Sequence, residues 1–200
     1  MLAVITAIHH TMRNIIILAL FGLTIFSCNV TTEKSKKNNN NNQISTQMVE
    51  KKFFDYDEID YYFNAQVNED KLGDLSNNQS KSELDSLKMG IILGKIPKDI
   101  SNLSFINVLE KIGYKKSSVD KSKFGDIDKI FVEKSAGVYQ VRACIYIYRD
   151  ILIFKKDKKV IGTAKICFGC KSNEIKGTNA NTENFGQDGD YERLNNLLRK

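Results

Sequence analysis

Three cysteines in the last third of the chain are the residues best equipped for chemistry. Cys167 and Cys170 stand two residues apart in KICFGC (165–170), and Cys144 lies 23 positions before the first of them. Such thiols can close a disulfide, cycle between dithiol and disulfide, or offer thiolates to a tetrahedral metal. A staple joining Cys144 to Cys167 or Cys170 would close a loop of about 25 residues, worth roughly 3 kcal/mol in the chain-entropy model, and leave one thiol over. A redox pair wants one stabilised thiolate, which Arg149 or Lys171 could supply. The helix that opens after thioredoxin-like pairs does not fit KSNEIKGTNANTEN (171–184), with its glycine and asparagines. Zinc or an iron–sulfur cluster would need a fourth ligand, for which Asp150 or another carboxylate is the candidate. Stabilisation is the default of the three.

The elements that must position these thiols are β-rich. GVYQVRACIYIY (137–148), DILIFKK (150–156) and KVIGTAKICF (159–168) are runs of β-branched and aromatic residues, and Lys156-Asp157-Lys158 suits a tight turn. With DKIFVEK (128–134) as a further strand, they predict a small antiparallel meander over about 128–168. Strand parity sends Val160, Gly162, Ala164, Ile166 and Phe168 to one face. Ile161, Thr163, Lys165 and Cys167 go to the other, more polar one. The hairpin brings Cys167 level with residues 148–150, so Cys167, Cys170, Arg149 and Asp150 should gather at one end of the meander. A tight turn at Arg149 would leave Cys144 too far along the ladder to join. A wide loop across 145–150 would bring it in.

Helices complete the class. SFINVLEKIG (104–113) has Phe105, Val108, Leu109 and Ile112 on one face, with Ser104 to cap it and Gly113 to close it. SELDSLKMGIILGKIP (82–97) suggests a helix that breaks at Gly90 or Gly94, and Pro97 ends the segment. DYERLNNLLRK (190–200) places Tyr191, Leu194, Leu197 and Leu198 at helical spacing as a closing helix. The aromatic stretch FFDYDEIDYYFNAQV (53–67) suits strand or helix. Its rings are more simply core than the lining of a groove. The expectation is an α+β fold, a small sheet with short helices on one face.

The other end of the chain bears on location. MRNIIILALFGLTIFSC (12–28) has a positive residue, Arg13, and a 12-residue apolar run from Ile15 to Phe26, well short of the roughly 20 that span a bilayer. That is the pattern of a secretory signal, with Met12 as a candidate start. Ile25-Phe26-Ser27-Cys28 resembles the lipobox of bacterial lipoproteins. The resemblance implies cleavage before Cys28 and lipid attachment to its thiol, with Asn29 favouring the outer membrane. Residues 1–27 are thus expected to be a signal peptide. The Asn- and Lys-rich stretch 28–51, with its run Asn38–Asn42, is the lipidated cysteine and a disordered tether. A single globular domain then occupies 52–200.

This division excludes much chemistry. Both histidines, His9 and His10, lie in the leader, so the mature chain cannot build a Ser-His-Asp or Cys-His site, or any histidine metal site. The net charge of +6 falls by one with Arg13. The lysines are interspersed with acids rather than gathered into a stripe, which points to a solvated surface and not to nucleic acid. Asn181, Glu183, Asp188 and Asp190 lack the ligand spacing of a calcium loop and suggest a solvated loop instead.

Cys144, Arg149, Cys167, Phe168 and Cys170 also follow a wider pattern, a cysteine, then Arg before a hydrophobic strand, then Ile-Cys-Phe-x-Cys. It resembles uncharacterised bacterial lipoproteins of a Bacteroidetes type, in which Pro-Arg-His and Ile-Cys-Phe-Glu-Cys occupy these places. Tyr148, Asp150 and Gly169 depart from that pattern here. The resemblance implies a wide loop between the first strands, with the three cysteines close together, and supplies no activity. The resulting expectation is a lipid-anchored envelope protein, binding or structural and without catalysis or cofactor. Its partners would be the membrane and an envelope protein or small ligand. The alternative is a thiol redox or Cys-ligated metal-handling protein.

Overall fold

The computed structural model describes residues 51–137 and 143–199. The expected signal peptide, Cys28, the tether up to residue 50 and the stretch 138–142 of the expected first strand lie outside the described residues. A five-stranded antiparallel sheet has the order β2-β1-β3-β4-β5. Its strands are β1 (Glu58–Phe63), β2 (Lys115–Ser118), β3 (Asp150–Lys156), β4 (Lys159–Cys167) and β5 (Ser172–Lys176). With four α-helices, α1 (Glu69–Asn77), α2 (Glu83–Ile92), α3 (Phe124–Ile130) and α4 (Asp190–Arg199), the class is α+β, as the sequence implied.

The β3–β4 hairpin forms where its sequence places it. Asp157 and Lys158 take positive φ of 50° and 64°, the conformation whose twist matches two strands joined by a two-residue turn. A bulge between Phe154 and Lys155 then shifts the register. The remaining partners come from elsewhere in the chain. β1 pairs antiparallel with β3, Glu58 opposite Lys155 and Phe63 opposite Asp150. Thus the undecided aromatic stretch supplies the strand that was expected from 137–148. The described part of that segment, 137 and 143–148, carries no helix or strand. β2 closes one edge with two exposed lysines, a composition that discourages further pairing.

DKIFVEK is a second correction. Residues 128–130 finish α3, whose Ile127 and Ile130 are buried three positions apart. Only Val132 takes a strand-like pairing, a single bridge to Lys52. Residues 104–113 also differ from the expected α-helix. Ser104–Val108 is a 3-10 turn without a side-chain cap, although Phe105, Leu109 and Ile112 are buried as the spacing required. Gly113 closes the segment at φ +101°. α2 starts on the Ser82 side chain, which accepts from Asp85 N–H at 3.1 Å. It ends ahead of Gly94 at φ +77° and a cis Ile96–Pro97 bond.

Helices cover both faces of the sheet rather than one. On the first face Leu152, Phe154, Ala164 and Ile166 pack with Phe53, Phe54, Ile127, Phe131, Tyr191 and Leu194. On the second, Ile151 and Ile153 pack with Leu72, Ile91, Ile92, Phe105 and Leu109. Alternation along β3 divides the two cores. The face of Thr163 and Lys165, expected to be the polar one, is therefore buried, each residue being 1% exposed. The aromatic stretch does serve as core, with Phe54 and Phe154 stacked at 4.4 Å between ring centroids. Asp190 is no solvated loop residue. It begins α4, fully buried, and its carboxylate meets Lys134 at 2.6 Å.

Candidate functional site

The thiols meet at the end of the sheet where β4 gives way to β5. Cys167 ends β4 opposite Ser172. The residues between form the connecting turn, with Lys171 at φ 51°. That turn carries Cys170 toward residue 144, and Cys144 and Cys170 form a disulfide with Cα atoms 6.0 Å apart. Cys170 Sγ lies 3.4 Å from the Ile145 carbonyl oxygen. The segment from 145 to 149 is thus a wide connection that brings Cys144 to the turn. Cys167 is a buried free thiol, in one packed group with Cys170 and Tyr148.

Tyr148 fixes this group from above. Its N–H donates to Ile92 O at 2.9 Å, at the end of α2, and its carbonyl accepts from the Tyr114 hydroxyl at 2.6 Å. The Tyr148 hydroxyl shares a 3.3 Å hydrogen bond with Ser172 Oγ, and burial raises its pKa above the usual tyrosine value. A Cβ at Gly94 would sit 2.5 Å from the Tyr148 ring, so the ring's approach requires glycine there. The sulfurs are consequently asymmetric. Cys144 stands on the exposed side of the bond, whereas Cys170 and Cys167 are buried in one packed group with Tyr148.

Asp150 occupies the same end of the sheet but turns to the opposite face. Its carboxylate accepts a short hydrogen bond from the Tyr61 hydroxyl. Both oxygens also accept from Arg199 Nη2 at 3.0 Å. The carboxyl is 2% exposed, and desolvation raises its pKa against the opposing effects of Tyr61 and Arg199. Asp150 is therefore a fastening for α4 rather than a neighbour of the thiols. Arg149 is exposed, with its carbonyl accepting from Asn64 N–H at 2.9 Å.

A buried lysine underlies the second face. Lys165 Nζ donates to Ile91 O at 3.0 Å and, in a short contact, to Ile96 O. It also lies 3.3 Å from Glu174 Oε2. Desolvation lowers its pKa to about 8. The amine binds the carbonyls at the end of α2, where a cation suits the helix dipole. Its position on the face of Cys167 follows from parity alone; its burial depends on α2 and could not be read from the strand.

A groove of about 640 Å³ between α3 and α4 is lined by Asp126, Lys129, Ile130, Arg193, Asn196 and Leu197. Its charged rim is paired within the protein, Lys129 to Asp126 at 2.8 Å and Arg193 to Asp190. Among the described residues no group of three or more His, Cys, Asp or Glu side chains is placed to hold a metal ion. No helix among them is long and apolar enough to cross a membrane. Comparison of the chain with protein-family models, curated proteins and solved structures finds no match.

Proposed function

We propose that the chain is a bacterial lipoprotein, held to the cell envelope through a lipid on Cys28 and most at home in the outer membrane. Its globular part is a binding or structural domain stapled by the Cys144–Cys170 disulfide. That cross-link carries the reading, because such bonds persist outside the reducing cytosol. It agrees with the apolar leader ending at Cys28. The Asn-rich segment that follows would serve as a leash. It meets the fold at Lys51 and Lys52, where Lys51 O accepts from Glu133 N–H at 2.9 Å and Lys52 bridges Val132. A domain tied at that point can stand clear of the lipid headgroups. Two or more acyl chains would hold it firmly, whereas one holds only marginally.

The test is metabolic labelling with a palmitate analogue followed by membrane fractionation of the full chain and of Cys28→Ser. A labelled protein in the outer-membrane fraction, with label and membrane association both lost in the variant, supports the proposal. An unlabelled protein that fractionates identically with and without Cys28 overturns it. One observation favours a second reading, thiol redox or metal handling: the buried free thiol of Cys167 shares one packed group with Cys170 of the disulfide and Tyr148. A redox site would react rapidly and reversibly while the fold stays intact.

A further inference from the structure

The geometry points to a redox-neutral switch within the chain, in which Cys167 exchanges with the Cys144–Cys170 disulfide and releases Cys144 as an exposed thiol. It goes beyond both functional readings, since it needs only the three sulfurs and no lipid, metal or outside oxidant.

Three observations carry it. Cys167 and Cys170 pack in one buried group with Tyr148. They also sit on a tight β4–β5 turn, with Cys167 opposite Ser172 and Cys170 two residues before it. A thiol on such a turn is held near the sulfur it would attack, so the exchange is intramolecular. The third observation is the contrast at Cys144. It lies on an exposed segment without helix or strand, beside Ile145 and Tyr146, which are 60% and 45% exposed. Among the described residues, the backbone hydrogen bonds that anchor this segment fall at Tyr148 and Arg149.

The step balances without a co-reactant. Cys167 gives up its thiol proton to solvent and the thiolate attacks Cys170 Sγ. A Cys167–Cys170 bond forms, the Cys144–Cys170 bond breaks, and Cys144 leaves as a thiolate that takes a proton from water. The number of disulfides and thiols is unchanged. A thiol sheltered in the core has been exchanged for one presented on the surface beside two apolar side chains. The long-range staple has become a bond within one turn.

Alkylation of the folded, full-length protein in detergent, without reductant, tests the switch. Iodoacetamide traps whichever thiol is free, and tryptic mapping under non-reducing conditions identifies it. In the starting arrangement the peptide 166–171 is tied to the peptide 143–149. The expected result is alkylated Cys144 together with a 166–171 peptide closed on itself, appearing faster as pH is raised from about 7 to about 8.5. The rate should not change on dilution. In Cys167→Ser, labelling of Cys144 should be at least about tenfold slower. Retention of the Cys144–Cys170 link with alkylation confined to Cys167 overturns the proposal. Equal labelling of Cys144 in Cys167→Ser, or a rate proportional to protein concentration, overturns it as well. Cys28 maps to a separate peptide, so failure of the exchange is distinguishable from failure of the lipid anchor.

Discussion

The guanidinium of Arg199 lies over the Phe63 ring, 4.3 Å from its centroid, while its Nη2 donates to both carboxylate oxygens of Asp150 at 3.0 Å. The last described residue of the chain thereby closes onto the first residue of β3. The centroid of the Phe168 ring lies 5.6 Å from the same guanidinium. Arg199→Ala removes the cation, the stacking and the counter-charge of a carboxylate buried at 2% exposure. Because the Arg199 side chain is 38% exposed, the cost should be less than for a fully buried pair, about 2 kcal/mol. Arg199→Lys, which keeps the charge without the planar fork, should recover only part of it. Urea denaturation checks both; an unchanged midpoint in Arg199→Ala would show that α4 is held by its apolar face alone.

Asp150 makes a pH prediction of definite sign. Its folded pKa is raised, chiefly by desolvation. The folded chain therefore takes up this proton at a higher pH than the unfolded chain does, and the group contributes stability as pH falls from neutral toward the ordinary aspartate range. Relative to Asp150→Asn, wild type should gain stability as pH falls through the folded pKa, and the gain should level off below about 3.9. Arg199→Ala, by removing a cation that opposes the shift, should start the gain at a higher pH. Stability curves for the three proteins across that range would show the opposite slope if the carboxylate were favourably ionised.

Local pattern made part of this architecture legible. The β3–β4 hairpin and α4 are written in contiguous residues, a turn between β-branched runs and an apolar stripe at helical spacing. The neighbour of β3 was not. Segments 58–63 and 137–148 are both aromatic and β-branched, and composition cannot say which fills the slot beside Leu152. The structure places Tyr61 there and leaves Ile145 and Tyr146 exposed. Lys165 shows the same limit in energetic form. A lysine alternating with apolar residues predicts a solvated face, unless a distant helix end brings carbonyls to it. Cys144 could be placed only once its segment was known to leave the ladder.

Lys165 and Glu174 should behave as a coupled pair. Lys165→Met leaves Glu174, a half-buried acid with an enclosed Oε2, without its 3.3 Å cation. It also removes the donor to the Ile91 and Ile96 carbonyls. The expected loss is about 3 kcal/mol, and the double variant with Glu174→Gln should recover part of it. The lysine also titrates with a determined sign. Its folded pKa is about 8, below the unfolded value near 10.4, so the folded chain releases a proton that the unfolded chain retains. Its contribution to stability should rise with pH between those values, and that rise should be missing in Lys165→Met. Additive single and double variants, with matching pH slopes, would dissolve the pair.

Gly162 tests the close packing of the first face. A Cβ there would meet the Phe54 ring at Cε1. That ring is itself stacked on Phe154 and packed beside Phe131 at 6.5 Å, so it has little freedom to yield. Gly162→Ala should cost about 2 kcal/mol as an overpacked core substitution. Phe54→Leu in the same background should relieve part of the clash. Thermal melts of the two variants decide the matter; a Gly162→Ala protein as stable as wild type would mean that Phe54 moves freely.

The staple itself makes the last prediction. Cys144 and Cys170 are separated by 26 residues, and a loop of that length constrains the unfolded chain by about 3 kcal/mol in the entropy model. For a domain of this size that corresponds to a melting temperature lower by roughly 6–12 °C on full reduction or in Cys144→Ser. Cys167→Ser keeps the bond and only places a hydroxyl in a buried position, so its cost should be about 1 kcal/mol. It should also retain the full response to reductant. Calorimetry with and without reductant separates these cases. A wild-type protein whose melting temperature is indifferent to reduction would show that the bond stabilises nothing, leaving exchange chemistry as the reason for three sulfurs at one end of the sheet.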